Sequence, residues 1–282
     1  QERLAQRYVD LTFADFAFFT NSGAESIEGC IKIARRYHWA KGQPDRIGIL
    51  SFEGSFHGRT LGGINAGAQE KYREGFGPRL PGFRSIPWED VEALKAEIVK
   101  PDLAAVLIEP VQGEGGVREA SHDFLRTMRK LCDENGVLLI YDEIQCGAGR
   151  TGKLFHHQWI DGASPDLLAA AKGIGGGFPM GMILATEKAA SGMAKGVHGT
   201  TFGGGGDSKI RRWNASSGAA LGQYTLISSR GPLLDAASAG GRLVVSDGNS
   251  PITLLDDESA ATLRTISPGA YTLAVTAPMI AA

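Results

Sequence analysis

Two charged residues stand where an apolar run ends, and both are types that do chemistry when burial perturbs them. Val137-Leu-Leu-Ile-Tyr leads straight into Asp142. An acid at the end of a buried strand is costly unless a cation or a hydrogen-bond donor meets it. Leu168-Ala-Ala-Ala leads in the same way into Lys172, and Gly173-Ile-Gly-Gly-Gly177 follows. Desolvation lowers the pKa of a lysine and yields a neutral amine, the nucleophile of carbonyl chemistry. A structural Lys172–Asp142 ion pair is the plain alternative, and the spacing leaves it open.

Three more segments offer polar groups next to glycine. Phe18-Phe-Thr-Asn-Ser-Gly-Ala-Glu25 reads as a strand running into a helix. Ser22 is a good N-cap, Glu25 stands three residues on as in a capping box, and the N–H groups of that helix start suit a phosphate. Ser51-Phe-Glu-Gly-Ser-Phe-His-Gly-Arg-Thr60 brings together Phe56, His57 and Arg59. A ring can stack on a planar ligand, and a guanidinium can hold a carboxylate bidentately. Leu107-Ile-Glu-Pro-Val-Gln-Gly-Glu-Gly-Gly116 places Glu109, Gln112 and Glu114 on a glycine-rich loop. Solvated turn residues would look the same.

The elements that must position these groups alternate in type. Strands are expected at Phe16–Thr20, Arg46–Phe52, Arg84–Pro87, Ala104–Glu109, Val137–Asp142, Leu167–Ala170 and Met182–Ala185. Helical periodicity marks Glu25–Trp39, Glu89–Val99 and His122–Asn135 between them. Apolar strands alternating with helices predict a mainly parallel sheet covered on both faces. Of the 39 glycines, 32 precede residue 207. Many follow a strand, which is where open α/β sheets bind ligands.

Bulk properties narrow the function. A net charge of −2 over 282 residues gives no field for nucleic acid or an anionic membrane. No run approaches the ~18 apolar residues of a membrane span. Cys30, Cys132 and Cys146 form neither a zinc pattern nor a disulfide framework, so they are expected to be packing residues in a reducing, cytoplasmic setting. No metal site is expected. Gln1-Glu-Arg-Leu-Ala-Gln-Arg7 reads as the middle of an amphipathic helix, as though a longer parent preceded it.

After Gly206 the texture changes. Residues 207–282 hold no His, Cys or Phe. They read as short β-runs at Arg242–Ser246, Ile252–Leu255, Thr262–Ile266 and Tyr271–Val275. Ile210–Tyr224 aligns weakly with Ile252–Ile266, an offset of 42 (252 − 210). That falls within the ~40–45-residue period of a propeller blade, so the stretch weakly resembles a WD-repeat propeller of fewer than two blades.

Order and spacing together carry more than any single motif. Asn21-Ser-Gly-Ala-Glu25, Phe56-His-Gly-Arg-Thr60, Glu109-Pro-Val-Gln-Gly-Glu-Gly-Gly116, Asp142-Glu-Ile-Gln-Cys-Gly-Ala-Gly-Arg-Thr-Gly152, Ala171-Lys-Gly-Ile-Gly-Gly-Gly177 and Thr200-Thr-Phe-Gly-Gly204 follow one another. In that order they resemble the class III (ornithine-type) aminotransferases, pyridoxal 5′-phosphate enzymes of fold type I, with the acetylornithine branch the closest likeness. The resemblance covers residues 1 to about 204. It implies a PLP-binding large domain over residues 1–204, with a three-layer α/β/α fold and a mainly parallel seven-stranded sheet. A short β-rich segment, 205–282, would follow.

The same resemblance implies roles for particular residues. Ser22, Gly23 and Ala24 would bind the cofactor phosphate, Phe56 would stack on its ring, and Gln145 would reach its hydroxyl. Asp142 would pair with the ring nitrogen. Lys172 would form the internal Schiff base and then carry the proton. Arg59 would hold the substrate α-carboxylate, and Glu114 would switch between the two amino-acid substrates. Thr201 would reach the phosphate of a partner subunit in a homodimer with shared sites. The reaction implied moves the terminal amino group of acetylornithine to 2-oxoglutarate, a step of arginine biosynthesis. Family pattern stops at Gly205-Gly206-Asp207, and the small-domain parts are missing. Two alternatives follow: a fused or truncated chain that binds PLP without turnover, or a tail that works as a propeller-like binding module.

Overall fold

The computed structural model describes residues 2–200, apart from the Glu2 side chain, and beyond them the backbone of six strands between Lys209 and Ile266. The chain forms two compact units, Gln1–Phe202 and Gly203–Ala282.

In the first unit a seven-stranded sheet contains β1 (Phe16–Thr20), β2 (Gly48–Phe52), β3 (Phe83–Ile86), β4 (Leu103–Ile108), β7 (Leu138–Asp142), β8 (Leu167–Ala171) and β9 (Gly181–Ala185). Its order is β1-β9-β8-β7-β4-β2-β3. Only β9 runs against its neighbours, pairing antiparallel with both β1 and β8. The other neighbours pair in parallel, so six strands point one way. The small strands β5 (Val111–Gln112) and β6 (Arg118–Glu119) form a separate hairpin.

Every residue of β4, β7 and β8 is buried. A parallel strand covered on both faces must be apolar on both, which is why these runs were continuous in the sequence. Alternate side chains enter two separate cores. Leu139, Tyr141, Val106 and Ile108 pack with residues of α4 (Val91–Ile98) and α5 (His122–Asn135), and α1 (Glu2–Leu11) adds Ala5 and Tyr8 to that face. Leu138, Ile140, Ala105 and Leu107 pack with Ile27, Ile31 and Ala34 of α2 (Gly23–Ala40). The short helices α3 (Leu61–Ala66) and α6 (Glu187–Ala190) lie on this second face, through Ala66 and Ala189. The layers are therefore α/β/α, as expected. Each fully buried Leu or Ile contributes about 1.5–3 kcal/mol.

Boundaries shift where local chemistry intervenes. β2 starts at Gly48, not Arg46, because Arg46 closes a turn by donating its N–H to Gln43 O. α4 starts after Asp90, whose carboxylate accepts the Ala93 N–H at 2.9 Å; Glu89 before it has a φ of 59°. All three cysteines are buried and free, and burial raises their thiol pKa values above the ordinary range. Among the described residues no helix is long and apolar enough to cross a membrane.

The second unit contains a hairpin of β10 (Lys209–Trp213) and β11 (Ala220–Thr225). It also has an antiparallel sheet ordered β12 (Asp235–Ala239), β13 (Arg242–Ser246), β14 (Ile252–Asp256) and β15 (Thr262–Ile266). Both copies of the 42-residue internal repeat are hairpins closed at equivalent positions, Ile210 opposite Tyr224 and Ile252 opposite Ile266. The expected run Tyr271–Val275 and the glycines Gly203–Gly206 lie outside the described residues.

Asp166 is the buried tie of the first unit. One oxygen accepts the Leu139 N–H at 2.8 Å and meets Arg129 at 2.8 Å; the other meets Lys188 at 2.9 Å. Asp166→Ala leaves Arg129 buried with Asp133 as its one remaining ion-pair partner beside the Ser164 carbonyl, and the expected loss is about 3 kcal/mol. Urea unfolding measures it. A loss below about 1 kcal/mol would show that Asp166 is not the tie.

Candidate active site

Six parallel strands bring their carboxyl ends to one edge of the sheet, and a cleft of ≈ 430 Å³ opens there. Ser22, Gly23, Ala24, Phe56, Arg59, Glu114, Asp142, Gln145 and Lys172 all line it. They come from segments far apart in the chain. Thr201 lies outside the described residues.

Asp142 forms the floor. It ends β7, only 3% exposed. Its Oδ2 lies 2.8 Å from His57 Nδ1, and its Oδ1 accepts the Ile144 N–H at 3.1 Å. The buried carboxylate thus takes its cationic partner from the β2 loop. Lys172 is not that partner, so the ion-pair alternative fails. Burial works against a charged His57, but the hydrogen bond and charge of Asp142, with the charge of Glu109, outweigh it and raise the imidazole pKa above its ordinary 6.5. His57 Nε2 has no hydrogen-bond partner, so the Asp142 contact alone holds the ring.

Glu109 follows β4 and is the second buried acid. Burial pushes its carboxyl up to about 7; Asp142 adds to this, while His57 and the Phe56 N–H, which donates to it at 3.0 Å, pull the other way. One imidazole is hydrogen-bonded to Asp142 and feels the charge of Glu109, a clustering that neither motif reveals alone. Strand endings single out Asp142 and Glu109, whereas the pairing with His57 comes only from the strand order.

Lys172 begins the turn after β8 with a φ of 52°, left-handed for a residue with a side chain. That conformation costs about 1 kcal/mol or more and is typical of functional positions. Its Nζ donates to Gln145 Oε1. The side chain is exposed, which corrects the expectation of a desolvated amine: no described element covers this side of the cleft.

Opposite stands α2. Ser22 Oγ accepts the Glu25 N–H at 3.3 Å, as expected of an N-cap. Glu25 does not close the capping box; its carboxylate reaches one residue further and accepts both the backbone N–H and the side-chain amide of Asn21. The first N–H groups of the helix have no intrahelical acceptor and are free for an anion. A Cβ at Gly23 would lie 2.8 Å from Ile144 Cδ1, so the Ile144 side chain would have to move to admit one.

Arg59 lies 3.8 Å from the ring centre of Tyr72 and 5.6 Å from that of Phe56, and the two rings meet edge to face at 5.9 Å. Tyr72 gave no signal in the sequence. Glu114 is exposed on the turn of the β5–β6 hairpin, which is anchored by Gln112 Nε2 donating to Glu53 O at 3.0 Å and by Arg118 donating to Gln112 at 2.7 Å. Glu143, next to Asp142, is buried and turned away; it accepts the N–H groups of His156 and His157 and meets His157 Nδ1 at 3.0 Å, pinning the loop beyond β7.

The model of the class-III aminotransferase family matches residues 1–207. A protein of Mesorhizobium japonicum named acetylornithine aminotransferase is 61% identical over 204 residues, 72% of this chain and 51% of that one. The crystal structure of N-acetylornithine aminotransferase from Stenotrophomonas maltophilia superposes with a TM-score of 0.58 at 40% identity, covering 68% of this chain and 47% of that one. An amine transaminase from an uncultivated Pseudomonas species, solved in its PLP-bound form, superposes with a TM-score of 0.62 at 31% identity, covering 71% and 51%. The chain spans about half the length of the curated relatives it matches. The propeller likeness of the second unit has no support from these matches.

The cluster sets a pH dependence. Glu109 titrates near 7 in the fold against an ordinary 4.5, so its protonated form stabilises the fold. That contribution is complete below about 4.5 and lost as pH rises towards 7. His57, raised above 6.5, adds stability in the same direction, lost above 6.5. Urea unfolding of the cofactor-free chain should show stability falling between pH 5 and 7, and Glu109→Gln should flatten the fall. An unchanged slope in that variant would remove Glu109 from the cluster.

Proposed function

This chain belongs to the class-III aminotransferases, and on that premise we propose that it binds pyridoxal 5′-phosphate in the cleft and moves a terminal amino group from an acetylornithine-type donor to 2-oxoglutarate. The observation that carries the reading is the gathering of nine residues from five loops around one cleft, with a lysine amine and a buried carboxylate on its walls. Relatives named acetylornithine aminotransferase support the choice of donor.

The residues suit this cofactor. The helix start at Ser22–Ala24 offers N–H groups and a positive dipole end to a phosphate. Phe56 presents an aromatic face on the cleft wall, and Asp142 presents an acceptor to a protonated ring nitrogen. When bound, the cofactor supplies a reactive aldehyde and an electron-withdrawing ring.

The chain's own groups do the rest. Lys172 would hold the cofactor through its amine and would serve as the base that moves the proton at the substrate carbon. Its strained backbone and the Gln145 contact fix where Nζ sits. Asp142 would pair with the ring nitrogen, and His57 at 2.8 Å holds Asp142 in place. Arg59, held on the Phe56 and Tyr72 rings, is placed to hold a substrate α-carboxylate while leaving the terminal amine to enter. Glu114 lines the entrance on a hairpin, as a residue that distinguishes the two amino acids would. A second copy of the chain is the proposed source of the Thr201 contact with the phosphate.

Incubation with pyridoxal 5′-phosphate, then borohydride, should fix a pyridoxyl group that peptide mass mapping finds on Lys172. Lys172→Ala should lose the label. A label on another lysine, or equal labelling of the variant, contradicts the assignment.

A further inference from the structure

We propose that a second cleft of the first unit binds a divalent transition-metal ion, with Zn2+ as its representative, on His122, His156 and Glu119. This cleft, of ≈ 430 Å³, shares no lining residue with the first. It lies between the β5–β6 hairpin, the start of α5 and the loop after β7. Spacing along the chain does not disclose it, because residues 119, 122 and 156 meet only through the fold.

His156 Nε2 is 3.5 Å and His122 Nε2 is 3.7 Å from Glu119 Oε1, and one donor atom from each residue lies within 4.8 Å of the others. Zinc with ligands at about 2.0–2.1 Å sets tetrahedral donors about 3.3 Å apart. Both contacts to Glu119 are close to that value, and Glu119 is exposed and free to turn inward. A second, independent observation points to a missing ligand. His156 is 3% exposed, yet neither of its ring nitrogens has a hydrogen-bond partner. The Thr151 hydroxyl, which lines the same cleft, is also buried without a partner. Nε2 has only the long Glu119 contact and Nδ1 has no hydrogen-bond partner, which is rare for a buried imidazole, because such groups are normally satisfied.

The donor set defines the ion. Two imidazoles and one carboxylate are borderline donors that favour Zn2+, Co2+, Ni2+ or Cu2+ over Mg2+ or Ca2+. A fourth position stays open for water, with the Thr151 hydroxyl on the cleft wall to meet it. A bound ion ties the hairpin, whose turn carries Glu114, to α5 and to the loop that Glu143 pins. The site is thus a staple behind the cofactor cleft, apart from its chemistry.

Equilibrium dialysis of the full chain against micromolar Zn2+, with metal analysis, should find one retained equivalent per chain. Co2+ in its place should give the intense visible bands of a tetrahedral site. His156→Ala and His122→Ala should each weaken Zn2+ binding about tenfold or more, with unchanged far-UV circular dichroism. His122 is half-buried at a helix start, so its variant decides the matter if His156→Ala fails to fold. No retained Zn2+ in the unaltered chain, or equal retention by His122→Ala, overturns the proposal.

Discussion

A carboxyl group at the end of a fully buried strand is the constraint around which the first unit is arranged. All five residues of β7 are buried, and Asp142 closes the run. Left alone, such a group would take up a proton before it stayed charged. Here His57 at 2.8 Å and the Ile144 N–H meet it. The charge of the same imidazole also acts on Glu109, whose carboxyl is driven towards neutrality by burial.

Strand order converts that constraint into a site. β8 is the neighbour of β7 on one side, which sets Lys172 beside Asp142; β4 on the other side brings Glu109, and β2 beyond it brings the His57 and Arg59 loop. β1 runs parallel to these strands and delivers Ser22–Ala24 to the same edge, although the reversed β9 separates it from β8. Gly181 at the start of β9 makes that fit possible, since a Cβ there would lie 2.5 Å from Ser22 O. The glycine excess before residue 207 is partly an excess of such close approaches.

Much of this was legible because burial on two faces leaves an unbroken apolar run. Val137–Tyr141 and Leu167–Ala170 could be nothing but interior strands, and the charged residue that ended each run was a site candidate for that reason alone. Helix α5 was legible to the residue, with Ser121 capping its start and Gly136, φ 62°, its end. Other features had no local signature. The reversal of β9 looks like any buried strand, and two-residue strands such as β5 have too little pattern to show. Tyr72 under Arg59, His57 against Asp142 and the trio around His156 each join distant segments, so they exist only once the sheet is assembled. Lys172 follows its apolar run into the cleft, but its side chain is exposed. Its apolar lead-in describes the strand behind it, not the open cleft in front.

The claim that His57 carries the countercharge for Asp142 can be tested on one nucleus. Imidazole 15N shifts of histidine-labelled, cofactor-free chain, followed through pH, report the protonation of His57 directly, with His57→Gln for assignment. A midpoint above 6.5, falling back when Asp142 is replaced by Asn, is the predicted result. A ring that is neutral throughout, or a midpoint below 6.5, would contradict the account.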